Sequence, residues 1–239
     1  MVFSSLPFVL GFLPIFFLCY YLIPCCHKNW ELLLGSVVFY ALGTTKHPGH
    51  LVLLLIAIMV NYFAARAMEY FPKLKSPIFF ISVAYHLFWL AYYKFTASFF
   101  TPADFVLPAG ISFYTFQGIS YLADVYRKRY SAEQNILNLA CYIMMFPQLI
   151  AGPIVVYPQV RKSMTQRSVS RIQVLHGISI FIFGLGMKVL LANQLGGLWR
   201  DARMIGFDSI STPLAWMSIF AFSFQLYFDF FGYSLMAIG

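Results

Sequence analysis

The chain has 239 residues, of which 61% are hydrophobic, 20% aromatic and only 10% charged, with a formal net charge of +8 and a mean hydropathy of +0.75. Soluble domains carry roughly 25% charged residues, so the composition excludes a water-soluble globule and predicts an all-α, polytopic transmembrane helical bundle. The positive charge argues against a nucleic-acid partner, because the basic residues sit in short loops between apolar runs, where membrane topology accounts for them.

Eight apolar runs follow one another, at about 6–24, 31–42, 51–68, 77–93, 105–123, 136–160, 172–195 and 213–238. Spaced so closely, they predict that residues 1–239 form one membrane domain of seven or eight hydrophobic segments. The first run lacks the basic flank and small-residue cleavage site of a signal peptide and is predicted to be a retained helix. The second falls short of the roughly 20 residues that span a bilayer, so it is expected to tilt, to pair with its neighbour or to lie partly outside. Cys19, Cys25, Cys26 and Cys141 show no CxxC spacing, which argues against a metal site or a disulfide framework.

In the fifth run Gln117, Ser120, Tyr121 and Asp124 recur at i, i+3, i+4 and i+7 and share one helix face. The sixth run contains Phe146-Pro147-Gln148-Leu149-Ile150-Ala151-Gly152-Pro153. Pro147, Gly152 and Pro153 break the helix and free backbone groups that lipid cannot satisfy, so this stretch is expected to be buried in protein or to line a wet cavity. Loop charge points the same way. With the uncharged N-terminus outside, Lys28, the Arg66/Lys73/Lys75 loop and Arg127-Lys128-Arg129 fall inside, while Lys46 and Lys94 with Asp104 fall outside. Strict alternation would then put Arg161, Lys162, Arg167 and Arg171 outside, against the positive-inside rule. The conflict disappears if 136–160 enters and returns on the same side, as a re-entrant segment.

Lys188 lies in the seventh run, and in the eighth Gln225, Asp229, Gly232 and Tyr233 share a face. Ionisable groups this deep are costly and normally point into a bundle or cavity; hydrogen-bonded helix packing with Gly232 at the contact fits the pattern equally well. Lys188 either pairs with Asp229 or snorkels to an interface. His27, His47 and His50 are placed in loops, His176 at a helix start, and His86 alone well inside an apolar run. No P-loop, dinucleotide fingerprint, HExxH, zinc pattern or Ser/His/Asp arrangement is present. The broken run and the Asp229/Lys188 pair would also suit a channel or secondary transporter, or a scaffold. No internal repeat stands out, which weakens an inverted-repeat transporter.

Five blocks carry a resemblance. Met1-Val2-Phe3-Ser4-Ser5, Leu107-Pro108-Ala109-Gly110-Ile111-Ser112-Phe113-Tyr114-Thr115-Phe116-Gln117, Phe146 to Ile154, Lys188-Val189-Leu190-Leu191-Ala192-Asn193 and Phe228 to Gly239 resemble, in that order, bacterial membrane-bound O-acyltransferases of the alginate O-acetyltransferase type. The resemblance implies a multi-pass protein of the bacterial inner membrane. It implies transfer of an acyl group, acetyl, from a cytosolic donor such as acetyl-CoA to an exported polysaccharide such as alginate, or to a partner protein across the membrane, with no bound cofactor or metal. The family's base is a histidine working in a tunnel. That histidine lies beyond the block ending Ala237-Ile238-Gly239, so the chain corresponds to the N-terminal half of a typical member. None of its five histidines takes that position, and the chain is expected to be a truncated piece, one half of a two-part enzyme or an inactive product. Gln117, Gln148, Gln225, Asp229 and Tyr233 are the expected tunnel lining, and Pro147, Gly152 and Pro153 the re-entrant element. Leu235 stands where close relatives tend to carry an acid.

Overall fold

The computed structural model describes residues 4–24, 27–99, 105–149, 155–165, 167 and 170–239. Met1 to Phe3 of the first block, Cys25, Cys26, Asp104, and Gly152 and Pro153 of the broken segment lie outside the described residues. All regular structure among those described is helical. The elements are α1 (Leu13–Leu22, entered through a π-helical turn Pro7–Phe12), α2 (Lys28–Gly43), α3 (Gly49–Tyr70), α4 (Lys75–Phe99), α5 (Ile111–Tyr126), α6 (Ile136–Met144), α7 (Phe146–Leu149), α8 (Tyr157–Thr165), α9 (Arg171–Gly186), α10 (Asn193–Ile205) and α11 (Thr212–Ile238). Among the described residues four helical stretches are long and apolar enough to cross a membrane: Gly49–Tyr70, Pro72–Phe99, Arg171–Ile205 and Thr212–Ile238. The result is the predicted all-α membrane bundle. It falls into two compact units, one holding α1 to α8 and the other holding α9 to α11 with Ser4 to Val9.

In the first unit the core forms where α3, α5 and α6 pack, with Leu54, Ala65, Tyr121, Leu122, Leu139, Tyr142 and Met144 fully buried. These helices can bury so much because their contact faces carry apolar or small groups along the full 3.6-residue period. Two sequence readings are corrected. The fifth run does not become helical at 105: Pro108 supplies no N–H and Gly110 adopts a left-handed φ of 72°, so α5 starts at Ile111. His50 is not in a loop but in the first turn of α3, where it is buried. The 16-residue α2 is about 24 Å long at 1.5 Å per residue, short of a bilayer core as its run suggested.

Several charged residues of this unit gather around the end of α3 and the start of α6, whereas Lys46 and Lys94 lie at the opposite ends of α3 and α4. Glu69, at the end of α3, accepts from the Ala132 N–H at 2.6 Å, and Glu133 meets Arg161 at 3.4 Å. Asn29, at the start of α2, donates to Asn138 at 3.0 Å and accepts from Arg167.

In the second unit α9 opens on a capping box in which the Ser170 side chain accepts from the Gln173 N–H while the Gln173 side chain accepts from the Ser170 N–H. It runs through a π-helical stretch, Met187–Ala192, directly into α10. The seventh run, expected to end at 195, therefore continues as helix to Ile205 and stops at Gly206, whose φ is 92°. α11 lies antiparallel against it. Added Cβ atoms at Gly184 and Gly232 would fall 2.6 Å and 2.8 Å from each other's carbonyl oxygens, and Gly177 meets Gly239 in the same way one heptad along. Only glycine permits this approach, as in other membrane helix pairs.

Candidate functional site

The broken segment is built as a hairpin. Met145, with ψ 117°, ends α6, and Pro147 falls in the first turn of α7, where a missing N–H costs nothing. The group freed by the break is satisfied inside the protein: the Phe146 N–H donates to the Ser36 hydroxyl at 3.2 Å. The Phe146 ring sits among Phe12, Phe16 and Phe39 at 5.4, 5.1 and 5.4 Å. By Leu149 the chain has travelled the length of α5, since a Cβ on Gly110 would strike the Leu149 carbonyl oxygen. It then comes back. The Tyr142 hydroxyl donates to the Val155 carbonyl at 3.0 Å, and Tyr157 and Arg161 reach Glu133, ahead of α6. Entry and exit of the segment thus meet at the charged end of the unit.

Inside this hairpin Gln117 of α5 donates to the Tyr142 carbonyl at 2.7 Å and shares a 3.3 Å contact with the Gln148 amide oxygen. The two predicted glutamines are therefore neighbours, and Gln117 is buried. A pair of primary amides can donate and accept at once, which suits orientation of a carbonyl or hydroxyl compound. The other members of the predicted α5 face do different work. The Tyr121 hydroxyl accepts from the Glu133 N–H at 2.9 Å, and Asp124 takes a 3.1 Å ion pair from Arg129 and a 2.5 Å hydrogen bond from Tyr130.

Glu133 closes the mouth of the hairpin. Only 5% exposed, it accepts from the Tyr157 hydroxyl and the Asn135 N–H. Burial by itself would raise its carboxyl; the hydrogen bonds from Tyr157 and Asn135, with the Arg161 guanidinium, outweigh that and hold it below the ordinary carboxylate value. The same contact acts in reverse on Tyr157, whose phenol is pushed well up by burial and by the carboxylate it serves. Sequence reasoning missed Glu133, Tyr142 and Tyr157. The tyrosines look like ordinary core, but a lone acid just before an uncharged run, with arginine just after it, was a readable signal.

In the second unit Lys188 meets Asp229 at 2.5 Å, with side chains 15% and 31% exposed, and its ammonium lies 5.3 Å from the centre of the Tyr233 ring. The pairing reading of Lys188 holds and the snorkelling one does not. Lys188 sits in the π-helical stretch, a form common at functional sites. A Cβ on Gly196 would fall 2.8 Å from the Gln225 amide nitrogen. The Gln225 amide oxygen is buried with no hydrogen-bond partner among the described residues, which leaves it free to accept. Gln225, Asp229, Gly232 and Tyr233 thus all lie on the α11 face turned toward α9 and α10.

His86 is 2% exposed on α4, and its Nε2 has no partner among the described residues. No group of three His, Cys, Asp or Glu side chains that could hold a metal ion occurs among the described residues.

No family model matches the chain. It is similar over its whole length to a probable alginate O-acetylase of Pseudomonas aeruginosa, at 34% identity over 48% of that protein, and to one of Azotobacter vinelandii, at 34% over 50%. A peptidoglycan O-acetyltransferase of Helicobacter pylori matches the whole chain at 32% identity over 53% of its own length. The chain spans about half the length of the curated relatives it matches.

Proposed function

Because the chain is similar from end to end to about half of each of several bacterial O-acetyltransferases, we propose that it belongs to the membrane-bound O-acyltransferase family and provides the membrane walls of an enzyme that moves an acetyl group from a cytosolic donor to a hydroxyl on an exported polysaccharide. The observation that carries this reading is that whole-chain identity with proteins named for O-acetyl transfer. Support comes from the way the resemblance blocks meet in space within each unit. The second block touches the third through Gly110 with Leu149 and Gln117 with Gln148. The fourth touches the fifth through Lys188 with Asp229 and Tyr233.

In this reading the 136–160 hairpin is re-entrant in the bacterial inner membrane, with its closed mouth toward the cytosol. Gln117 and Gln148 orient the reacting carbonyl or hydroxyl by hydrogen bonding. In the second unit Asp229, Tyr233 and Gln225 form a polar wall held in place by Lys188. The donor is a thioester such as acetyl-CoA, which a dry passage protects from hydrolysis. The acceptor is a polysaccharide such as alginate or an extracytoplasmic partner that carries the acetyl group onward. A histidine base activates the acceptor hydroxyl, and none of this chain's histidines is assigned that role.

Membranes holding the intact protein should transfer label from radiolabelled acetyl-CoA to the polysaccharide. Gln117→Ala or Asp229→Ala should cut incorporation at least tenfold, at normal protein level. Full labelling by both variants would refute the assignment, and solute uptake without any acyl donor would point to a transporter instead.

A further inference from the structure

The turn between α3 and α4 and the 125–131 stretch enclose a pocket at the charged end of the first unit, lined by Glu69, Lys75, Lys128, Arg129 and Tyr130. Its lining charges are three cations against one carboxylate. That carboxylate is engaged by the Ala132 N–H, and Arg129 is paired with Asp124. Lys75 and Lys128 remain, and neither has a carboxylate at ion-pair distance among the described residues. The Lys75 ammonium is held 5.2 Å over the Tyr126 ring.

Lys128 occupies an unusual backbone position. After α5 the chain turns with the Arg129 N–H donating to the Asp124 carbonyl and the Lys128 N–H to the Val125 carbonyl, both at 3.0 Å, the Schellman pattern of a helix end. Its pivot residue must be left-handed, and glycine is the usual occupant. Here a lysine holds φ 57°, the one non-glycine residue with positive φ among those described. A lysine there carries backbone strain that glycine would relieve. Tyr70, Phe71 and Leu74, all exposed, cap the adjoining end of α3. Aromatic residues at a span end mark the level of lipid headgroups, which puts the pocket at that depth.

We propose that Lys75 and Lys128 form a binding site for a phosphate-bearing group, supplied by the headgroup of an anionic phospholipid in the leaflet beside α3 and α4. The site is independent of the acyltransferase reading. Its affinity comes from two ammonium groups in a half-enclosed pocket, each contributing about fivefold in binding at a membrane surface.

The test takes the full chain from mixed micelles of phosphatidylcholine and phosphatidylglycerol and counts retained lipid by native mass spectrometry. Wild type should retain phosphatidylglycerol selectively. Lys75→Gln and Lys128→Gln should each lower that selectivity about fivefold, and Lys162→Gln, on α8, should not. Lys128→Gly separates charge from fold, because it relieves the strained φ: its thermal midpoint should rise while its lipid selectivity falls. Unchanged selectivity in the Lys75/Lys128 double variant, or in Lys128→Gly, overturns the proposal. Stabilisation of lipid-free protein by inorganic phosphate alone would give the pocket to a soluble phosphate compound and overturn the lipid source.

Discussion

Asp229 and Lys188 show how much a single pair of side chains can decide. Each carries a charge into an apolar helix surface, and each is tolerable there only because the other stands 2.5 Å away. Removing one partner leaves an uncompensated charge, at a cost of about 3–5 kcal/mol. Asp229→Asn should therefore lower the thermal unfolding midpoint in detergent markedly, while the double change Lys188→Met with Asp229→Leu should recover most of the loss. A double variant as unstable as the single one would show that the two residues are not energetically coupled. Sequence periodicity made the α11 face legible, since Gln225, Asp229, Gly232 and Tyr233 follow the 3.6-residue repeat. Which alternative Lys188 follows was not legible, because the π-helical stretch that aims it at Asp229 leaves no trace in local composition.

The hairpin of α6, α7 and α8 depends on its closure at Glu133. That carboxylate is depressed in the folded state, so the stability it contributes is complete above its ordinary value of about 4.3 and is lost as pH falls through the lower folded value. A cysteine placed at Val155 in a chain otherwise freed of thiols should be protected from a membrane-impermeant maleimide at neutral pH, and the thermal midpoint of the wild type should fall more steeply on acidification than that of Glu133→Gln. Glu133→Gln should label readily at neutral pH. Protection that survives this substitution would assign the closure to other contacts. From sequence the break was legible in Pro147, because its ring and missing N–H restrict the backbone wherever it occurs. The closure was not, since Glu133, Tyr157 and Arg161 meet only after a chain reversal that no local pattern encodes.

For the molecule as a whole, the first unit collects most of its charge at one end, with Glu69, Lys75, Lys128, Glu133, Arg161 and Arg167 around the ends of α3 and α5 and the start of α6, while Lys46 and Lys94 lie toward the other. Loop-charge counting asks the sixth run to return to the side it left, and labelling tests that. Single cysteines at Lys128 and Arg167 should be modified from the same face of sealed inner-membrane vesicles, together with one at Lys73. Labelling of the Lys128 and Arg167 positions from opposite faces would remove the re-entrant arrangement. Run lengths alone made the membrane class and most helices legible, because a bilayer imposes one length on every spanning segment. They misjudged where α5 begins and where the seventh run ends, both governed by glycine conformations at Gly110 and Gly206.

The π-helical stretch at Met187–Ala192 also sets how this chain can change length. A π turn accommodates one residue more than the α-helical turn it replaces, while the flanking helices keep Gly177, Gly184 and Gly196 turned toward α11. Loss of one residue inside the stretch would restore an ordinary turn with both flanks still in phase, whereas the same loss within α10 would rotate everything beyond it by about 100°. A lineage carrying this fold can thus shed a residue at that point without uncoupling the two helices, and the stretch that positions Lys188 becomes the place where such a deletion is survivable.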